Sequence, residues 1–138
     1  MEYSYKFRIY PNKTQEQQIC KTFGCCRFIF NYYLAVRKEF YEKCNTTFNY
    51  YDCAKDMTQL KRTLNWLREV DNTALQSSLQ NLDTAFKNFF RRVKKGGKPG
   101  YPKFKSKHEH RQSYKSKYMN SNIKILDKAI QLPKLGKV

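Results

Sequence analysis

Six apolar residues, Leu75, Leu79, Leu82, Phe86, Phe89 and Val93, recur at steps of four and three. Soon afterwards come Gly96, Gly97, Pro99 and Gly100. Such spacing keeps one face of an α-helix apolar, and Gly and Pro oppose its continuation, so a helix is predicted that stops near Lys95. A one-faced helix needs a cover, and two upstream segments carry the same period. Ile19, Phe23, Cys26, Phe30, Tyr33 and Phe40 mark a long helix over roughly 14–43. Gly24 is its only internal breaker, and one glycine costs only about 1 kcal/mol against alanine, so the helix is expected to run through it. Ala54, Met57, Leu60 and Leu64 mark a shorter helix from about Tyr50 to Asn65, after a loop at Asn45-Thr46-Thr47. Thr14 with Gln17, and Thr73 with Gln76, have capping-box spacing. Asp71, just before the third helix, suits a capping or dipole-complementing carboxylate.

At both ends the period changes to two. Tyr3, Tyr5, Phe7 and Ile9 alternate with Ser4, Lys6, Arg8 and Tyr10, which predicts a strand with one buried face, ended by Pro11 and Asn12. Ile123 and Ile125, then Ile130 and Leu132, alternate around Asp127-Lys128 and predict a hairpin. The order strand, three helices, basic loop, strands defines an α+β chain. Its two ends can pair only if the helices are an insertion between them. The final strand reaches Val138 with nothing to close a barrel, so the chain reads as cut short.

Charge narrows the function. There are 28 Lys+Arg against 11 Asp+Glu, a formal net charge of +17. Residues 87–118 hold twelve of those cations and a single acid, with Tyr101, Phe104, Tyr114 and Tyr118 interleaved. A chain with 40% hydrophobic and 16% aromatic residues is not a disordered basic tail. An excess of this size calls for a polyanion, and nucleic acid is the default partner. No apolar run approaches the roughly 20 residues of a membrane span, and no secretory signal opens the chain. A soluble, intracellular protein is expected. The five cysteines form no C-x-x-C pair, so neither a disulfide framework nor a zinc site is signalled, and buried thiols are expected for most of the five. His108 and His110 lie in a basic stretch where cation repulsion opposes a metal. The carboxylates are scattered beside Lys and Arg, and no phosphate-cradling glycine motif is present. Catalysis and cofactors are not indicated.

Several blocks taken together carry a resemblance: YKFRIYPNKTQEQQI, FGCCRFIFNYYLAVR, WLREVDNTALQSSLQNLDTAFKNFFRR, GYPKFKSK and LPKLGKV. In this order they resemble the TnpB (OrfB) proteins of insertion-sequence transposons, RNA-guided DNA endonucleases related to type V CRISPR nucleases. The resemblance implies three parts. Residues 1–11 correspond to the first strand of a wedge domain, an oligonucleotide-binding-like barrel. Residues 12–95 correspond to an inserted three-helix recognition lobe, and residues 96–138 to a basic loop and the returning, truncated wedge strands. Residues 1–45 include the region labelled helix-turn-helix in transposases. The family's RuvC-like nuclease domain, with its Mg site and zinc ribbon, lies further along. The resemblance therefore implies binding of guide RNA and target-adjacent DNA without cleavage, and no cofactor within these residues. It also implies a cytoplasmic, nucleoid-associated location.

Specific residues follow. Arg91, Arg92, Lys94, Lys95, Lys98, Lys103, Lys105 and Lys107 are expected on phosphates, giving affinity and salt dependence rather than sequence choice. Arg27 and Asn31, four apart on the first helix, suit RNA contact or bonding to neighbouring backbone. Asn72 and Gln76 share a face at the start of the third helix, where Asn and Gln can read adenine or can cap. Tyr50, Met119 and Asn120 match regions that read target-adjacent DNA in the resembled family. Core positions for Tyr50 and Met119 and a turn for Asn120 are the alternatives. Tyr101 and Phe104 either stack on nucleotides or pin the basic loop to the helices. A stand-alone helix-turn-helix DNA-binding protein is the competing function, and a helix break at Gly24 is its signature.

Overall fold

Helix α1 spans Lys13–Cys44 in a computed structural model that describes residues 3–44, 48–97, 101–107 and 113–138. The loop read at 45–47 and the two histidines lie outside the described residues. The helix is capped by Asn12. Its side-chain oxygen accepts the Gln15 N–H at 2.9 Å, while Gln15 Oε1 accepts the Asn12 N–H at 3.0 Å. This reciprocal capping box replaces the Thr14–Gln17 pair expected from spacing, because a cap must precede the first helical residue. The helix is unbroken at Gly24. A Cβ added there would meet only Arg27 Nη2, at 3.8 Å, so the glycine marks neither a turn nor a close helix contact.

Helix α2, Tyr50–Thr63, opens on an Asn49–Asp52 capping box. A 3-10 helix, Asn65–Glu69, follows and buries Leu67. Helix α3, Asn72–Lys94, is capped by Asp71, whose Oδ1 accepts the Thr73 N–H at 3.0 Å and the Thr73 hydroxyl at 2.8 Å. The expected carboxylate cap is therefore present, and it displaces the Thr73–Gln76 box. The helix ends where the glycines predicted. Gly96, at φ 71°, sits in the left-handed region, and the Gly97 N–H reaches back to Arg92 O at 3.1 Å. This is a Schellman end, which favours the residue without a Cβ.

α1 and α2 both pack on α3. Ile29, Tyr33 and Leu34 of α1 interlock with Leu75, Leu79 and Leu82 of α3, all essentially sealed from solvent. Cys25, Cys26 and Cys53 belong to the same interior. Burial is the main cause raising their thiols, to about 12 for Cys26 and Cys53. They are packing groups, as expected for buried thiols.

Strands β1 (Lys124–Ile125) and β2 (Ile130–Leu132) form the expected hairpin, with Ile125 opposite Ile130. A third strand that periodicity did not announce, β3 (Gly136–Lys137), pairs with β2. The Ile130 and Val138 backbones exchange hydrogen bonds at 3.0 and 2.9 Å. The sheet of the described residues is open and antiparallel, in the order β1-β2-β3. The N-terminal strand is the clearest departure. Residues 3–11 join no ladder, and Tyr3, Tyr5 and Phe7 are 74%, 74% and 56% exposed. Alternation specifies a face, whereas a strand exists only through a partner's N–H and C=O groups, and neither β1 nor β3 takes that role here. The Gln15 side chain, donating to Lys137 O, ties the start of α1 to β3 instead.

Candidate nucleic-acid interface

Within the most basic stretch, the segment 101–107 is seated on the helices. At its start the Tyr101 ring stands edge-on to Phe86 and Phe89, with centroids 5.7 and 5.0 Å away. Burial raises its phenol pKa. Further along, Asn31 of α1 clasps the backbone of Lys105. Asn31 Nδ2 donates to Lys105 O at 3.0 Å, and the Lys105 N–H donates to Asn31 Oδ1 at 2.7 Å. The Lys105 ammonium lies 4.5 Å from the centre of the Phe30 ring, within cation–π range. Between these anchors Lys103 and Phe104 are exposed, Phe104 by 58%. The structure thus separates two aromatic residues that the sequence left equivalent. Tyr101 pins the segment, and Phe104 is open to stacking. Asn31 bonds to backbone, which leaves its amide engaged rather than free for RNA.

Replacing Asn31 with Ala should release this segment. Two hydrogen bonds are lost together, a change of about 1–3 kcal/mol if the backbone groups stay buried. Trypsin cleavage at Lys103 and Lys105 should accelerate several-fold while helical circular dichroism is kept. Unchanged cleavage rates would mean that Asn31 does not hold the segment.

Arg91, Arg92, Lys94 and Lys95 crowd the last turn of α3 and are all exposed. The negative end of the helix dipole favours cations there by about 0.3–1 kcal/mol each. Among the described residues, the salt bridges join Lys21 to Glu69, Arg37 to Asp83, Lys43 to Glu39 and Lys87 to Asp83. None of them neutralises Arg91, Arg92, Lys94, Lys95, Lys103 or Lys105. Lys107 is exposed at the end of the seated segment. Lys98 lies outside the described residues.

The other end of α3 is differently built. Ser116 Oγ donates to Asp71 Oδ2, and the Lys117 N–H donates to Thr73 Oγ1 at 3.1 Å, so residues 113–118 cross the helix start. Tyr114 stands edge-on to Phe23 at 6.1 Å, and its phenol is pushed up to about 12, first by burial and then by the Asp71 charge. Because Asp71 takes the cap, neither Asn72 nor Gln76 is engaged in capping. Asn72 is exposed and Gln76 half-buried, one turn apart. Tyr50 packs against the core and stands edge-on to Tyr51. Asn120, at φ 53°, and Ser121, at φ 61°, form an exposed turn closed by the Met119 N–H donating to Asn122 Oδ1 at 2.7 Å. Asn120 is therefore a turn residue, and Met119 is exposed by 53% rather than in the core.

Arg27 borders a separate groove of about 700 Å³ with Lys21, Gly24, Phe28, Tyr32 and Trp66. Phe28 stands edge-on to Trp66 at 5.0 Å and stacks on Tyr32 at 5.7 Å. Sequence reasoning passed over this aromatic shelf. The available signal was the single tryptophan of the chain, two residues before Arg68.

Comparison with known proteins bears on the whole arrangement. Residues 1–46 match a sequence model of the OrfB proteins of IS605-type elements, described as a helix-turn-helix domain. Over 138 residues the chain is 32% identical to "Putative RNA-guided DNA endonuclease InsQ" of Escherichia coli (strain K12), covering 96% of this chain and 32% of that protein. Over 112 residues it is 34% identical to a "Putative RNA-guided DNA endonuclease" of Streptomyces pristinaespiralis, covering 80% of this chain and 27% of that one. The "Virulence protein VsdF" of Salmonella dublin is 30% identical over 112 residues, covering 75% of this chain and 92% of VsdF. The chain belongs to the TnpB/OrfB family of insertion-sequence proteins. It spans about a third or less of the length of the first two relatives. Among the described residues no helix is long and apolar enough to cross a membrane.

Proposed function

We propose that this chain is the nucleic-acid grip of a TnpB-type RNA-guided endonuclease, holding guide RNA and the DNA beside the target while contributing no catalytic group. The observation that carries the reading is the seating of residues 101–107 by Asn31 and Tyr101. A loose basic tail has no fixed geometry, whereas this segment presents its cations from a folded surface that also bears the end of α3, whose cations have no carboxylate partner among the described residues. Arg91, Arg92, Lys94, Lys95, Lys103, Lys105 and Lys107 contact phosphates, with Lys98 assigned to the same role from sequence. Asn72 and Gln76 read base edges, since their amides are not engaged in capping. Residues 1–11 belong to the wedge, residues 12–95 to the recognition lobe, and residues 96–138 to the basic loop and the returning wedge strands. The relatives named as RNA-guided DNA endonucleases support the choice of RNA as first partner.

A helix-turn-helix protein that binds duplex DNA by itself is the alternative, favoured by the description of the family matched at residues 1–46. Unbroken helix at Gly24 weighs against it. Fluorescence anisotropy on a stem-loop RNA and a DNA duplex of equal length, at one salt concentration, separates the two. At least tenfold tighter binding of the RNA is expected. Equal or tighter binding of the duplex would favour the alternative.

A further inference from the structure

The groove beside α1 has the size and chemistry of a small-ligand site, and nothing in the phosphate grip uses it. Its volume of about 700 Å³ falls within the range of pockets that hold small organic ligands. One wall is Trp66, 42% exposed, with its indole held edge-on by Phe28. Tyr32, 36% exposed, continues the shelf by way of the Phe28–Tyr32 stack. Along the floor runs the first half of α1, where Gly24 offers no side chain to fill the space. Two cations and one carboxylate border it. Lys21 Nζ lies 3.5 Å from Glu69 Oε2, so those charges offset each other, and the Glu69 backbone is held by Gln18 Nε2 donating to its carbonyl at 2.6 Å. Arg27 has no carboxylate partner among the described residues and supplies the net positive charge.

An exposed indole with an unpaired guanidinium nearby suits a flat aromatic group joined to an anion. We propose that this groove takes one unpaired nucleotide of a bound strand, its base stacked on Trp66 and its phosphate at Arg27. Stacking on an aromatic side chain tolerates any base, because every base has a π-face, so the site adds affinity for single-stranded segments without sequence choice. The proposal rests on the nucleic-acid reading above and extends it from phosphate contacts to a base pocket remote in sequence from the basic segment.

Trp66 is the only tryptophan, so its fluorescence reports the site directly. The intact 138-residue chain would be titrated with fluorescently end-labelled hexauridylate and hexathymidylate, following binding by label anisotropy and the site by indole emission. Saturable quenching that tracks binding is expected. Quenching by either strand supports the site, and the tighter of the two identifies the source of the nucleotide. Trp66→Ala should weaken anisotropy-detected binding by about 5- to 100-fold. Trp66→Phe should keep most of the affinity, and Gly24→Leu, which fills the floor without removing charge, should weaken binding and abolish quenching. Binding without any change in indole emission, or wild-type affinity in Trp66→Ala and Gly24→Leu, would overturn the base pocket and leave the phosphate grip standing. Absence of binding by either method would overturn both.

Discussion

Raising salt from 50 to 200 mM should weaken the binding of structured RNA to this chain by about 10³-fold. Arg91, Arg92, Lys94, Lys95, Lys103 and Lys105 are six cations without a carboxylate partner among the described residues. With Lys98 and Lys107 assigned the same role the contacts number six to eight; each neutralised phosphate releases condensed counterion, and about 0.7–0.9 of an ion per contact gives a log–log slope of about −4 to −7. Changing Arg91, Arg92, Lys94 and Lys95 together to Gln removes four contacts and should bring that slope closer to zero by about 3 to 3.5. These side chains are exposed at a helix end, so the helical signal should persist, with a stability change limited to the dipole contribution of each charge. An anisotropy titration at several salt concentrations reads the slope for both proteins. A near-zero slope in the parent chain would remove phosphate contact as the source of affinity. An unchanged slope in the fourfold variant would remove the end of α3 from the interface.

Asp83→Ala should destabilise the helical unit by about 3–5 kcal/mol, a large part of the total stability of a domain this size. The Arg37 guanidinium is 7% exposed, bonds to Asp83 Oδ1 at 3.2 Å, and sits 4.3 Å from the centre of the Phe86 ring. Tyr41, Phe48, Phe89, Phe90 and Tyr101 complete its surroundings. Without Asp83 a cation would remain in an aromatic enclosure without the carboxylate that pairs with it among the described residues. Lys87 also meets Asp83, at 3.1 Å, but its side chain is 77% exposed and that pair adds little. Replacing both partners, the buried Arg37→Met with the half-buried Asp83→Leu, should cost far less than the single change or even raise stability, because no charge is then stranded. Urea unfolding midpoints with unchanged slopes would report the difference. A loss below about 1 kcal/mol for Asp83→Ala would show that the pair is effectively solvated. The Tyr101 anchor packs in this same enclosure, so loosening it should also loosen the basic segment.

What the sequence alone determined was local. Helix α3 is legible from Leu75 to Val93 because its apolar period and its glycine stop both act within a few residues. The same holds for α1 running through Gly24, for α2, and for the turn at Asp127-Lys128. Asp71 was legible as a cap from its position, although Thr14 and Thr73 shared the spacing of a capping box and do not cap. The cationic character of residues 87–118 needs no fold at all. The tertiary structure decided everything that depends on a partner distant in the chain. Asn31 becomes a clasp only because Lys105 lies across it, Tyr101 an anchor only because Phe86 and Phe89 face it, and Trp66 a wall only because α1 places Phe28 and Gly24 alongside. The alternation of Tyr3, Tyr5 and Phe7 promised a strand, but a strand's hydrogen bonds belong to its neighbour, and among the described residues no strand pairs with residues 3–11. Periodicity encodes which face of an element is apolar; what covers that face is set by three-dimensional contact between residues far apart in sequence.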